Sequence, residues 1–197
     1  MTIDGKIGSI SHDDERARAS AHMPVILTGL IGVSTGELPV GLVLTRNASA
    51  ALVEYQEIEG EVLATGDGTL ETFTGTLDLP VEPGTLVITD GVEAFADDGL
   101  GRLTGDAGGS GTVVYKTGAV SITVNTATLD ETDITADYAT AIDGILDETV
   151  DSAKTDSATY IIHGSVRMDA LKVGAVAKAA PSTTLLGRLI RKGIYPE

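Results

Sequence analysis

The hydrophobic positions of this chain come in short runs. From Pro24 onward, apolar and β-branched stretches alternate with clusters of Gly, Asp, Ser and Pro. That spacing predicts strands joined by tight turns. The segments "VILTGLIGV" and "VGLVLTR" flank the turn-rich "STGELP", and "AALVEYQEI" follows Asn47-Ala48-Ser49. That tripeptide matches a glycosylation sequon, but with no secretion signal in view it reads as a turn. A denser series follows: "EGEVLAT", "GTLETFTGTLDL", "GTLVITD", "VEAFAD", "GRLTG", "GTVVYKT", "GAVSITVN" and "TDITADY". Short strands at such spacing predict a small β-sandwich or barrel. The clearest hairpin is "GTVVYKTGAVSITV", turning at Lys116-Thr117-Gly118. In "SITVN", Ile122 and Val124 face one side while Ser121 and Thr123 face the other.

The texture changes after Tyr138. "AIDGILDETVD" reads as a strand running into an acidic turn, and "SATYIIHGSVRMDAL" as a strand around Tyr160, Ile161, Ile162 and Val166. One helix is expected near the end. Ser182 suits its N-cap and Gly193 its C′ position. Leu185, Leu186, Leu189 and Ile190 form its apolar face, and Gly187 weakens it. Residues 1–23, containing the polar "SHDDERARASAH", read as a flexible arm.

Charge sharpens this division. The chain of 197 residues carries a net charge of −16. Residues 57–137 hold sixteen acids against only Arg102 and Lys116, net −14, whereas residues 1–56 carry −2 and residues 138–197 are neutral. A step of this kind marks a domain boundary, the plainer alternative being one acidic face of a single domain. The expected organisation is an arm (1–23), a discontinuous body (24–56 plus 138–197) and an inserted acidic β domain (57–137). So negative a chain disfavours nucleic acid and anionic membrane as partners. "MPVILTGLIGV" (23–33) is too short to cross a bilayer and reads as a buried strand. Asp13-Asp14-Glu15 before it argue against a signal peptide.

Candidate chemistry is sparse. There is no Cys, which excludes disulfides, zinc–thiolate sites and cysteine nucleophiles. The histidines are His12, His22 and His163, with no nucleophile-elbow motif to serve; "GGSG" at Gly108–Gly111 reads as a turn. Asp97, Asp98 and Asp106 in "DDGLGRLTGD" could offer oxygens to a cation, but their spacing fits plain turns better. Adjacent carboxylates such as Asp147/Glu148 read as solvated surface. No enzyme, cofactor or metal is expected.

Several phrases resemble the phage head-decoration proteins of the lambda gpD-like group. "GELPVGLVLTR" is similar to that group's opening strand through Gly36, Leu38, Gly41, Val43 and Leu44. "AIDGILDETVD" resembles its A-x-G-I-L phrase, "YIIHGSVRMDAL" a later strand, and Leu185–Ile194 its C-terminal helix. The acidic block is a departure, standing where the group has a short connection; it resembles a β module that recurs in phage structural proteins. The resemblance implies a mainly β, β-clip-like body with an inserted β-sandwich or barrel and a short C-terminal helix. It further implies a homotrimer on the outer surface of a virion, bound to the major capsid protein and made in the host cytoplasm. Its capsid contacts would come from the arm and the first strand: Ile3, Ile7, Ile10, Met23, Pro24, Val25 and Ile26. The alternative is a surface β-sandwich that recognises host glycan or protein, with Tyr115, Tyr138 and the 97–106 loop as contacts.

Overall fold

The computed structural model describes residues 16–32 and 36–197. In chain order the strands are β1 (Val25–Leu30), β2 (Glu37–Leu38), β3 (Val43–Arg46), β4 (Leu52–Glu54), β5 (Glu57–Thr65), β6 (Thr72–Thr76), β7 (Val87–Thr89) and β8 (Ala94–Asp97). They continue with β9 (Arg102–Gly105), β10 (Ser110–Val114), β11 (Ala119–Thr123), β12 (Asp133–Ala139), β13 (Gly144–Leu146), β14 (Val150–Asp151) and β15 (Ser157–Val166). Helix α1 (Thr183–Arg191) and β16 (Ile194–Pro196) end the chain. The protein is mainly β, with one short α-helix and a single 3-10 turn (Met168–Ala170) among the described residues.

Strands β5 to β12 form one eight-stranded sheet in the order β5-β12-β7-β8-β9-β10-β11-β6. It curls until its two ends nearly meet. A Cβ placed on Gly75 of β6 would lie 2.5 Å from Leu63 Cδ1 of β5, so glycine allows the approach. Glu61 spans the same seam, accepting from Asp78 N–H at 2.8 Å and from the Tyr138 hydroxyl at 2.6 Å. The interior of this barrel is aliphatic and aromatic: Phe73, Leu86, Ile88, Phe95, Leu103, Ile122 and Ile134 are all buried in one cluster. Ile122 and Val124 point inward and Thr123 outward, as the alternation requires. The hairpin pairs Val114 with Ala119 across Tyr115–Gly118, and Gly118 takes the left-handed φ of 70° that its turn needs. Ser110 and Gly111 belong to β10, so only the first half of "GGSG" is turn.

The remaining strands form the body. Its six-stranded sheet runs β1-β15-β13-β3-β4, with β16 added parallel to β15. Strands β2 and β14 pair separately. Segments before and after the barrel share two cores. In one, Val43 and Tyr55 pack with Ile145, Ile161, Leu185, Leu189 and Ile194. In the other, Leu38, Leu42, Leu44 and Leu52 pack with Leu146, Val150 and Tyr160. Gly41 sits where the halves touch: its φ is 81°, and a Cβ there would fall 1.8 Å from the Ala170 carbonyl oxygen. The helix begins at the Ser182 cap, whose Oγ accepts from Leu185 N–H at 3.1 Å, and Gly193 follows it with φ 82°. Leu185 and Leu189 are buried beneath α1, while Ile190, expected on that face, is 52% exposed.

Three other expectations change. "AALVEYQEI" is two strands, broken at Tyr55-Gln56 where the chain passes from body to barrel. Tyr138, expected at the start of the body, packs in the barrel core; the next residue, Ala139, packs in the body's. Strand β1 is an edge strand bonded along its length only to β15, and most of its residues are exposed rather than buried.

Candidate functional site

Residues 16–22, expected as part of a flexible arm, are fastened along β15. Ala17 is fully buried in the body core. Its N–H donates to the Asp147 carbonyl, and its own carbonyl accepts from Arg167 N–H. Ala19 N–H donates to the Ser165 carbonyl, while Ser165 N–H donates to His22. Asp147, expected as solvated surface, has a fully buried side chain. Arg18 grips both of its carboxylate oxygens and Arg16 Nη1 lies 3.3 Å from one of them. The arginines remain about a third exposed, at 36% and 37%, so the carboxylate is the desolvated partner that needs them. Nothing local signals this clamp, because Arg18 and Asp147 lie 129 residues apart in sequence.

Strand β1 follows directly. Of the expected capsid contacts, Ile3, Ile7 and Ile10 lie outside the described residues. Met23 is 84% exposed, Leu30 of β1 62%, and Val25 and Leu27 of the same strand a little under half. Pro24 is half-buried, and Ile26 turns inward against the body core. The result is an apolar edge presented by a segment that is itself pinned. A hydrophobic edge of this kind invites pairing or cover.

The histidines gather rather than disperse. His22 meets His163 edge-on at 4.9 Å and stacks on Tyr195 at 5.4 Å; His12 lies outside the described residues. Gly193 is glycine because a Cβ there would be 2.4 Å from His163 Nδ1. The cluster closes β16 and the incoming segment over β15.

The loop carboxylates bind their own backbone. Asp97 Oδ1 accepts from Gly99 N–H and its Oδ2 from Gly84 N–H. Asp98 accepts from Leu100 and Arg102, and Asp106 from Ala94. The amide bonds to Leu100 and Arg102 hold the Asp98 carboxyl below its ordinary pKa. Among the described residues no three His, Asp or Glu side chains converge as metal ligands. Asn47 likewise serves its turn, its Oδ1 accepting from Ser49 and Ala51.

The two tyrosines considered as ligand contacts differ. Tyr138 is buried. Tyr115 is half-buried; its hydroxyl donates to Asp97 at 2.6 Å and accepts from Gly101 N–H at 2.7 Å. Burial, then the bond to Asp97, raises its phenol to about 12. Tyr115 lines a cleft of about 410 Å³ at the junction of body and barrel. The Thr45–Ala50 turn, Ala141–Asp143 and Lys192 form its body wall; Pro80–Pro83, Tyr115 and Lys116 form its barrel wall. Tyr55 stiffens the junction elsewhere, its hydroxyl accepting from Arg188 at 2.9 Å and donating to Glu57 at 3.0 Å.

Comparison with protein-family models, with curated proteins and with solved structures finds no match.

Proposed function

We propose that this protein decorates the outer surface of a phage head as a homotrimer, bound to the major capsid protein through its body and carrying the acidic barrel outward. The observation that supports this most is the apolar edge of Met23, Val25, Leu27 and Leu30. It follows immediately on a clamped approach segment, so it is held ready for a partner instead of hanging from a loose tail. The barrel's −14 charge favours an outward position, where it repels neighbouring particles and stays clear of packaged nucleic acid. The mechanism is mechanical: each trimer bridges neighbouring capsid subunits and adds contact free energy against internal pressure.

The test mixes the protein with expanded, undecorated heads and follows binding by sedimentation and electron microscopy. Saturable binding at regular lattice positions is expected, with light scattering giving a trimer in solution or on the particle. Val25→Asp with Leu27→Asp should abolish it while leaving the fold intact. A variant in which residues 57–138 are replaced by a short linker should still bind. Gln56 and Thr140, which flank that span, are already hydrogen-bonded to each other at 3.0 Å. Heads that remain undecorated at saturating protein would overturn the reading.

A further inference from the structure

We propose that the cleft between body and barrel binds a small acidic saccharide, a sugar bearing both hydroxyls and a carboxylate. The inference is independent of the decoration reading and rests on the cleft alone. Its volume of about 410 Å³ falls within the range of small-molecule sites.

Three features define what would fit. The first is a group of buried oxygens without hydrogen bonds. Glu82 Oε2 and Thr45 Oγ1 are buried with no hydrogen-bond partner, although Thr45 is fully buried and Glu82 only partly so. Asp143 Oδ2 lies 2.9 Å from Arg46 Nε, an ion pair by distance whose geometry leaves the oxygen without a hydrogen bond. These are the three buried side-chain oxygens without a hydrogen bond among the described residues, and all three belong to residues lining this one cleft. Arg46 compensates Asp143, so Thr45 and Glu82 are the two that lack a donor, and buried polar atoms are normally satisfied. Of the two, only Glu82 can reach the cleft, because Thr45 is fully buried; a sugar hydroxyl supplies its missing donor once the Glu82 carboxylate turns toward the opening.

The second feature is charge. Lys116, from the barrel turn, and Lys192, at the end of α1, stand on opposite walls. Both are exposed, and neither forms an ion pair among the described residues. In a chain of net charge −16, two lysines without ion pairs among the residues lining one cleft favour an anionic group there. A phosphate dianion would crowd Glu82 and Asp143; a single carboxylate beside hydroxyls places negative charge at the lysines and donors at the acids. The third is shape: Pro80, Pro83 and the Tyr115 ring offer apolar surface for the C–H face of a sugar ring. A bare divalent cation would satisfy the acids but not the lysines.

The experiment titrates the full-length protein with a short galacturonate oligosaccharide and with its neutral galactose counterpart. Binding is followed by calorimetry and by amide chemical shifts. Saturable binding of the acidic sugar is expected at millimolar or lower concentration, with shifts confined to the 45–50, 80–83, 115–116 and 141–143 segments and Lys192. Lys116→Ala with Lys192→Ala should weaken it about tenfold, as two partly screened charges allow. Glu82→Gln should weaken both sugars. The lysines are exposed, so those variants fold as the parent does, which circular dichroism checks. No saturable binding, shifts outside the cleft, or unchanged affinity in the double lysine variant would each overturn the proposal. Equal affinity for the neutral sugar would overturn the acidic class.

Discussion

Barrel and body are built from the same kind of strand, yet they are assembled by different rules. In the barrel, β7, β8, β9, β10 and β11 each lie beside their neighbours in sequence, and only β5, β6 and β12 reach further to close the sheet. In the body the pairings that join its two halves are remote: β1 pairs with β15, β2 with β14 and β3 with β13, while β13 and β15 lie closer in sequence. Only β3 and β4 make a local hairpin. The barrel's strands can meet by closing short loops, whereas the body's halves meet only across the whole intervening chain. One fold is written locally, and the other depends on an encounter between distant segments.

The largest expected effect tests whether the two regions are also separate energetically. Phe95 is fully buried in the barrel core and Ile161 in the body core. Phe95→Ala should cost about 3–5 kcal/mol and Ile161→Ala about 2–5 kcal/mol through lost burial and the cavity left behind. We expect calorimetry to show two transitions, with each variant lowering a different one. Segment-resolved hydrogen exchange should assign the transitions to residues 57–138 and to the rest. If either variant lowers both transitions equally, Arg188, Tyr55 and Glu57 couple the regions into one cooperative unit.

This difference in assembly also explains what could be read in advance. Each of the eight apolar segments of the acidic block became a strand, because alternation and Gly/Asp turns are local signals. The Ser182 and Gly193 helix limits were legible for the same reason. The edge position of β1 was not, since hydropathy reports apolar side chains but not how many strands flank them. Nor was the burial of Asp147, whose arginine partners lie in a segment that looks like polar tail. At the junction cleft, Tyr115 could be singled out as an aromatic in a turn. Thr45, Glu82 and Lys192 could not, because they come from three elements that meet only in the folded chain.

The arginine clamp gives the next largest effect and belongs to the body alone. Arg16→Ala with Arg18→Ala strands a buried carboxylate. Breaking a buried pair costs about 3–5 kcal/mol, and the partial exposure of both arginines reduces this to roughly 2–3 kcal/mol. The body transition should fall accordingly and the barrel transition stay in place. Amides of residues 17–22 should lose exchange protection first. Asp147→Asn in the same background should recover part of the loss, because it removes the stranded charge; a further loss instead would show that Asp147 acts through something other than these arginines.

The barrel has a buried carboxylate of its own, and it is satisfied in a different way. Asp90 is only 3% exposed, and the partners of its carboxylate among the described residues are two amides and a hydroxyl. Burial pushes its pKa up, but the amides of Glu93 and Val92 and the Thr128 hydroxyl donate to it and together hold the pKa below its ordinary value. A depressed folded pKa means that the stabilisation is fully present above the unfolded pKa near 4 and is lost as pH falls through the folded value. Asp90→Asn keeps an acceptor for the two amides but gives up the charge-assisted strength of those bonds, costing about 1 kcal/mol at neutral pH. The barrel transition of the variant should therefore lie slightly below that of the parent at pH 7 and converge with it as acid protonates Asp90 in the parent. The body transition should not distinguish the two proteins at any pH. Curves that stay parallel down to the acid limit would mean that the Asp90 charge contributes nothing and that the neutral hydrogen bonds alone hold the turn.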